Sequence, residues 1–268
     1  GVFAGVGDTK EVRKKRFYRR FTPVLGFILY SFDFFFHRAC PKLPVLRKIY
    51  FHLTKGRNRV MSRAEILGRL CSCGFKVMNE SYVDNRLFFV VKKVKRPEFD
   101  RQPTYGPLIR LRRVGKNHKL IGVYKLRTMH PYSEYLQEYV YWLNGTRDGD
   151  KITDDFRITT WGRILRKFWI DELPMLANWV KGDLKLVGVR PLSLHKFSTY
   201  PEDLQKLRVK YKPGLVPPFY ADLPKTEEAF YTSEEAYINS YAKAPFRTDV
   251  VYFFRVAWNI VVKRARSS

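Results

Sequence analysis

Cysteine is scarce in this chain, acidic residues are few, and no apolar run is long enough to cross a bilayer. Cys40, Cys71 and Cys73 are its only cysteines in 268 residues. An odd number with one Cys-x-Cys pair makes no disulfide framework and falls short of the four ligands of a closed zinc site. The sequence predicts three reduced thiols, as on the cytoplasmic side of a membrane. The apolar stretch from Pro23 to Phe36 has fourteen residues and contains Asp33. As a helix it reaches about 21 Å, short of the ~30 Å hydrocarbon core, and a carboxylate is costly in lipid. A spanning helix is therefore excluded there, while a core helix and an interfacial or re-entrant helix both stay open. The residues given show no cleavable signal pattern, no internal repeat and no low-complexity tract.

The acidic deficit says the most about partners. Against 25 Asp and Glu stand 51 Lys and Arg, a formal charge of +26. Such a chain is drawn to nucleic acid, to an anionic membrane surface or to phosphorylated substrates. Its apolar fraction of 45% and aromatic fraction of 16% exclude a disordered tail. Its length suits one large domain with a small appendage.

Local pattern organises the chain. Residues 10–20 hold seven basic residues and one acid, directly before the apolar stretch with its five phenylalanines. That pairing suits an anionic headgroup layer. Pro41 and Pro44 break the helix, and 45–53 continues as a shorter amphipathic piece. Ser62-Arg63-Ala64-Glu65 fits a capping box opening a helix through about Leu70, with Gly74 suited to its stop. Residues 75–80 and 86–94 flank a polar turn at Asp84-Asn85, the signature of a β-hairpin. Residues 106–129 give a second hairpin around Gly115-Lys116-Asn117-His118, and Tyr132–Trp142 reads as a short helix. Ile158, Trp161, Leu165 and Phe168 share one helical face, with Arg157, Arg163, Arg166 and Lys167 elsewhere around it. Residues 250–266 repeat the theme of an apolar helix with a basic end.

The densest chemistry lies at 171–191, DELPMLANWVKGDLKLVGVRP. Pro174 is welcome in a first helical turn, and Leu173, Leu176, Ala177 and Val180 predict one apolar face, so Asp171 and Glu172 fall at a helix N-terminus. Alone this is an ordinary capping arrangement. Arg163, Arg166 and Lys167 before it, and Lys181 and Arg190 after it, change its meaning. Carboxylates among cations suit phosphoryl transfer, because a divalent cation and bidentate Arg contacts let a carboxylate approach phosphorus.

The run 171–191 resembles the DELPQL-N-KGDMSLVGPRP signature of bacterial sugar transferases, the monotopic polyprenyl-phosphate phosphoglycosyl transferases. GPLIRLRRVGKNHKLIGVYKLRTM resembles the family's segment ending in K-F-R-T-M. RITTWGRILRKF is similar to its RITRxGRxLRK helix, and YKPGLV to its R-PG-ITG stretch. The resemblance runs from about Tyr105 to Pro218. Val189 stands where the family has Pro, Ile170 where it has Ser or Thr, and Val216-Pro217 where it has Thr-Gly. None of these changes removes a charge. At the N-terminus the family's Ser-Pro break corresponds to Cys40-Pro41, and the 60–96 module intervenes.

The resemblance implies transfer of a sugar 1-phosphate from a UDP-sugar to polyprenyl phosphate, with UMP released, as a first membrane step of capsule, exopolysaccharide or O-antigen-type assembly. Asp171 would be the nucleophile that forms a covalent aspartyl phosphosugar, and Glu172, with Asp171, would hold Mg²⁺. Lys125, Arg127, Arg163, Arg166, Arg190 and Pro191 would contact substrate phosphates. The implied setting is the cytoplasmic face of the bacterial inner membrane, monotopic or peripheral, on anionic lipids. The expected fold is α+β: a mostly helical catalytic domain (101–268) with amphipathic membrane-surface helices and a helix-associated hairpin. A basic, apolar membrane-associating segment (1–57) and a small helix–hairpin module (58–100) precede it.

Two other readings stay in view. Asp148-Gly149-Asp150 offers the DxD metal motif of a conventional glycosyltransferase, which would release UDP rather than UMP. A non-catalytic basic binding protein is the other; the absence of P-loop, zinc-finger and RNP motifs speaks against nucleic acid as its partner. The sugar and the oligomeric state leave no mark in the sequence.

Overall fold

A computed structural model describes residues 1–57, 59–98, 106–144 and 155–263. Asp148 and Asp150 of the DxD motif lie outside them. The fold is α+β with small sheets, divided into two compact units. The described residues of the first unit fall within 1–106, 129–145 and 152–159, and those of the second within 107–128 and 160–268.

In the first unit, strand β1 (Val2–Asp8) leads into helix α1 (Lys10–Arg20), α2 (Pro23–Phe34), α3 (Pro44–Thr54) and α4 (Arg63–Ser72). Strands β2 (Phe75–Val83) and β3 (Arg86–Lys93) follow, and α5 (Gln137–Asn144) returns to the unit later. Asp84 and Asn85 both take positive φ, 50° and 63°, which matches the twist of a two-residue hairpin. The hairpin gains a third strand that the sequence pattern did not reveal: β1 pairs antiparallel with β3, giving the order β1-β3-β2. The strand VFAGVGD has two glycines and no polar alternation, so no period-2 signal marks it.

The α4 N-cap forms as its sequence predicts, with Ser62 Oγ accepting from the Glu65 N–H. Glu65 is fully buried, and its carboxylate receives Arg59 Nη2 at 2.6 Å. Leu67, Leu87, Val91, Leu136 and Val140 form the core where α4 meets the sheet. After α2 the helix widens into a π-turn at Phe35–Ala39 and then tightens into a 3₁₀ turn at Cys40–Lys42, where Pro41 sits, before α3 begins. Among the described residues, no helix is long and apolar enough to cross a membrane.

The second unit opens with a two-stranded antiparallel sheet, β4 (Leu108–Val114) and β5 (Leu120–Leu126). Helix α6 (Thr160–Lys167), a 3₁₀ segment at Ile170–Met175 and α7 (Leu176–Val180) follow. Then come β6 (Lys185–Val187), α8 (Leu194–Ser198), α9 (Glu202–Arg208), β7 (Gly214–Val216), α10 (Phe219–Asp222), α11 (Glu227–Lys243) and α12 (Pro245–Val261). β6 and β7 pair in parallel. The larger core gathers Val187, Val189, Leu204, Tyr237, Ile238, Tyr252 and Val256 beneath α11 and α12. A smaller one, Ile121, Val123, Met175 and Leu184, joins β5 to the 3₁₀ segment.

One orientation expectation is corrected here. Ile158 and Arg157 precede α6 rather than sharing its faces. Ile158 bridges to Met129, and Arg157 is buried with Asp155 at 2.7 Å. The face predicted for 173–180 forms, and it points outward: Leu173, Leu176, Ala177 and Val180 are exposed, while Asp171, Met175 and Asn178 are buried.

Candidate active site

The Asp171–Glu172 pair sits at the start of the 3₁₀ segment, reached through a sharp reversal. Trp169 takes a left-handed conformation (φ 55°), and its carbonyl accepts the Glu172 N–H at 3.0 Å. A tryptophan at positive φ is costly and needs support. Tyr220 supplies it: the indole Nε1 donates to the Tyr220 hydroxyl at 3.3 Å, and the rings meet edge to face at 5.6 Å. The pair thus enters at a 3₁₀ turn, since α7 starts only at Leu176.

Strand β5 brings Lys125 against this turn. Lys125 Nζ lies 2.5 Å from Glu172 Oε1, and Arg190 Nη2 reaches the same oxygen at 3.4 Å. Both cations take Oε1, so Oε2 receives neither. Burial pushes the Glu172 carboxyl up, but Lys125 and then Arg190 outweigh it and hold the group below the ordinary range. Asp171 moves the other way: burial raises its pKa, with Glu172 adding to the rise and Lys125 and Arg166 opposing it. Burial also lowers the Lys125 ammonium, against the pull of Glu172. Two neighbouring carboxyls are therefore pushed apart in acidity, one anchored in an ion pair and the other enclosed.

The remaining predicted residues take defined places. Arg166 Nε donates to Thr128 Oγ1 at 2.9 Å, and its charge acts on Asp171. Arg127 lies two residues beyond Lys125, its backbone N–H bonded to the Pro107 carbonyl at 2.6 Å. Arg163 is exposed on α6. Pro191 is buried behind the exposed Arg190. Sequence reasoning missed the supports of Arg190. Arg208, buried and paired with Glu234, donates through Nη2 to the Arg190 carbonyl. Arg113 faces Arg190, and burial together with that charge lowers its pKa to about 10. Neither carried a local pattern, because each acts across the fold.

Among the described residues no three His, Cys, Asp or Glu side chains cluster as a metal cage. Two adjacent carboxylates, one with an oxygen left by its cations, match the donor set of a Mg²⁺ ion that takes its other ligands from phosphates and water.

Comparison with known proteins identifies the family. The model of the family "Bacterial sugar transferase" matches residues 100–263. A galactosyl transferase of Streptococcus agalactiae is 39% identical over 104 residues, covering 38% of this chain and 23% of the relative. The undecaprenyl-phosphate galactose phosphotransferase of Salmonella typhimurium is 35% identical over 108 residues, 38% of this chain and 22% of its own. The UDP-glucose:undecaprenyl-phosphate glucose-1-phosphate transferase of Caulobacter vibrioides is 35% identical over 113 residues, 41% of this chain and 39% of its own. The matches therefore span less than half of each of these relatives. The family match extends over more than half of this chain and contains Lys125, Asp171, Glu172 and Arg190, and the chain belongs to the bacterial sugar transferase family.

Proposed function

We propose that the chain transfers a sugar 1-phosphate from a UDP-sugar to polyprenyl phosphate and releases UMP. The observation that carries this reading is the Asp171–Glu172 turn held against Lys125 and Arg190. In the first displacement an Asp171 carboxylate oxygen attacks the β-phosphorus of the donor. The bond from that phosphorus to the bridging oxygen breaks, and UMP departs with the electron pair. In the second, a phosphate oxygen of the lipid attacks the same phosphorus and Asp171 leaves as a carboxylate. Splitting one transfer into two in-line displacements lets a single carboxylate serve as nucleophile and leaving group. Enclosure of Asp171 strips water from the attacking oxygen, and Arg166 supplies positive charge on its side. Lys125, Arg127, Arg163 and Arg190 offer contacts for the diphosphate, with Pro191 fixing the turn behind Arg190. Glu172 with Asp171 would hold Mg²⁺, and the bound ion would supply charge neutralisation for the diphosphate.

The membrane role extends the same proposal. In the second unit Trp161, Ile164 and Phe168 are exposed on or beside α6, and Leu173, Leu176, Trp179 and Val180 on the following turns. Phe254 and Trp258 are exposed on α12. In the first unit Val24, Phe27, Ile28 and Phe32 are exposed on α2, next to the basic α1. Aromatic and aliphatic side chains beside Arg and Lys suit the headgroup layer of an anionic membrane. On this reading 1–57 associates with the membrane, 58–100 is an accessory module and 101–268 is catalytic, on the cytoplasmic face of the bacterial inner membrane. Such a step opens assembly of an exopolysaccharide, capsule or O-antigen-type glycan.

A panel of UDP-sugars with polyprenyl phosphate in vesicles tests the reaction. The expected result is UMP with a lipid-linked sugar diphosphate from at least one donor. Release of UDP in its place contradicts the proposal. Liposome flotation on phosphatidylglycerol tests the footing, which predicts binding weakened by salt.

A further inference from the structure

Asn178 is fully buried on α7, within an outward-facing apolar stretch. Its carboxamide uses both sides. Oδ1 accepts the Tyr124 N–H at 2.9 Å, and Nδ2 donates to the Gly122 carbonyl at 2.8 Å and to Asp183 Oδ2 at 3.2 Å. Gly122 and Tyr124 belong to β5, whose opposite side is taken by β4. Along a strand, an outward C=O and the outward N–H two residues later are the pair that a further strand would engage. A primary amide carries the same donor and acceptor as a peptide group. Asn178 thus closes the open edge of β5 at one point, where a third strand would otherwise pair.

That point matters because of its neighbours. Lys125 follows Tyr124 directly, and the 3₁₀ segment bearing Asp171 and Glu172 runs straight into α7. The Asn178 clip joins the two segments whose side chains meet as the 2.5 Å Lys125–Glu172 pair. Its third bond reaches the turn at Lys181-Gly182-Asp183, where Gly182 takes φ 76°. Lys181 in turn lies over the Tyr124 ring at 4.7 Å and donates to its hydroxyl at 3.2 Å. Tyr124 is held by its backbone from Asn178 and by its ring from the same turn.

We propose that Asn178 is a positioning residue, which sets the distance between Lys125 and the Asp171–Glu172 turn without touching substrate. This rests on the reading of that turn as the reacting centre. Near-attack geometry tolerates little displacement, and about 1 Å costs on the order of 100-fold in rate.

The test uses the full chain in vesicles and compares wild type, Asn178→Ala and the milder Asn178→Ser, each alone and with Lys125→Met. The expected result is a fall in kcat of about 30-fold or more for Asn178→Ala, with donor KM within about threefold. In the Lys125→Met background the same change costs less than about twofold, because its effect passes through Lys125. A variant that melts earlier yet keeps kcat overturns the proposal, as does full additivity with Lys125→Met. Should wild type release no UMP, the reaction reading fails by itself, and positioning is still read without turnover. The nuclear Overhauser contacts between the Lys125 and Glu172 side chains then weaken in Asn178→Ala or Asn178→Ser, and the Tyr124 amide exchanges faster. Unchanged Lys125–Glu172 contacts sink the positioning role.

Discussion

Lys125→Met removes the nearest countercharge of Glu172 while keeping most of the side-chain volume, so it isolates the electrostatic part of the site. At 2.5 Å and an effective dielectric near 20, the gross attraction is roughly 7 kcal/mol. Desolvation of both groups offsets much of this. Removing one partner leaves a largely buried carboxylate with Arg190 at 3.4 Å as its remaining close cation. Breaking buried pairs costs about 3–5 kcal/mol, and the surviving Arg190 contact brings the expectation down to about 2–3 kcal/mol.

The pH dependence has a definite sign. Lys125 and Arg190 together hold the Glu172 carboxyl below its ordinary value against burial. A depressed carboxyl stabilises the fold above its unfolded pKa, and that stability is lost as pH falls through the folded value. Without Lys125 the folded pKa rises, so the extra acid-side stability shrinks. Thermal melts from pH 4 to 8 should show the variant losing most at neutral pH and converging toward wild type in acid. Lys125→Arg, which keeps the charge, should recover part of the difference. Equal melting curves for Lys125→Met and wild type at neutral pH would refute the electrostatic account.

Two further predictions concern other parts of the fold. In the first unit burial, together with Arg38, Lys42 and Lys10, lowers the His130 pKa to about 3. The unfolded chain takes up that proton near 6.5, so stability falls as pH drops from there toward 3, by roughly 4 kcal/mol; urea titrations should find a flatter acid dependence in His130→Phe. In the second unit a Cβ on Gly162 would lie 2.0 Å from the Thr128 carbonyl oxygen. Gly162→Ala must push α6 away from the residue that holds Arg166, and circular-dichroism melts should show a loss of about 1–3 kcal/mol. Wild-type stability would show that the backbone yields there.

Much of the fold is legible where local chemistry is decisive. Asp84-Asn85 tolerates positive φ and so announces the β2–β3 turn, and Ser62 announces α4 through its cap. β1 stays hidden because its pairing with β3 joins residues 78 to 90 positions apart, and its two glycines supply no alternation. Leu173, Leu176, Ala177 and Val180 share one face as their spacing predicts, but spacing alone does not say that this face points outward. Arg157 reads as one more surface cation, and only the structure pairs it inside with Asp155. At the site, the carboxylate pair and its cations are readable from their density in 163–190. The Lys125–Glu172 contact is not, since 47 positions separate the partners. Residues such as Asn178 and Arg208, which act through backbone groups elsewhere, carry no local signal.

The most direct test of the central claim is intact-protein mass measurement after incubation with a UDP-sugar and Mg²⁺ but no lipid acceptor. The account predicts that wild type gains the mass of one sugar phosphate and that Asp171→Asn, with an unchanged melting profile, gains none and turns over no donor when lipid is supplied. Turnover by Asp171→Asn, or an adduct carried on another residue, would contradict it.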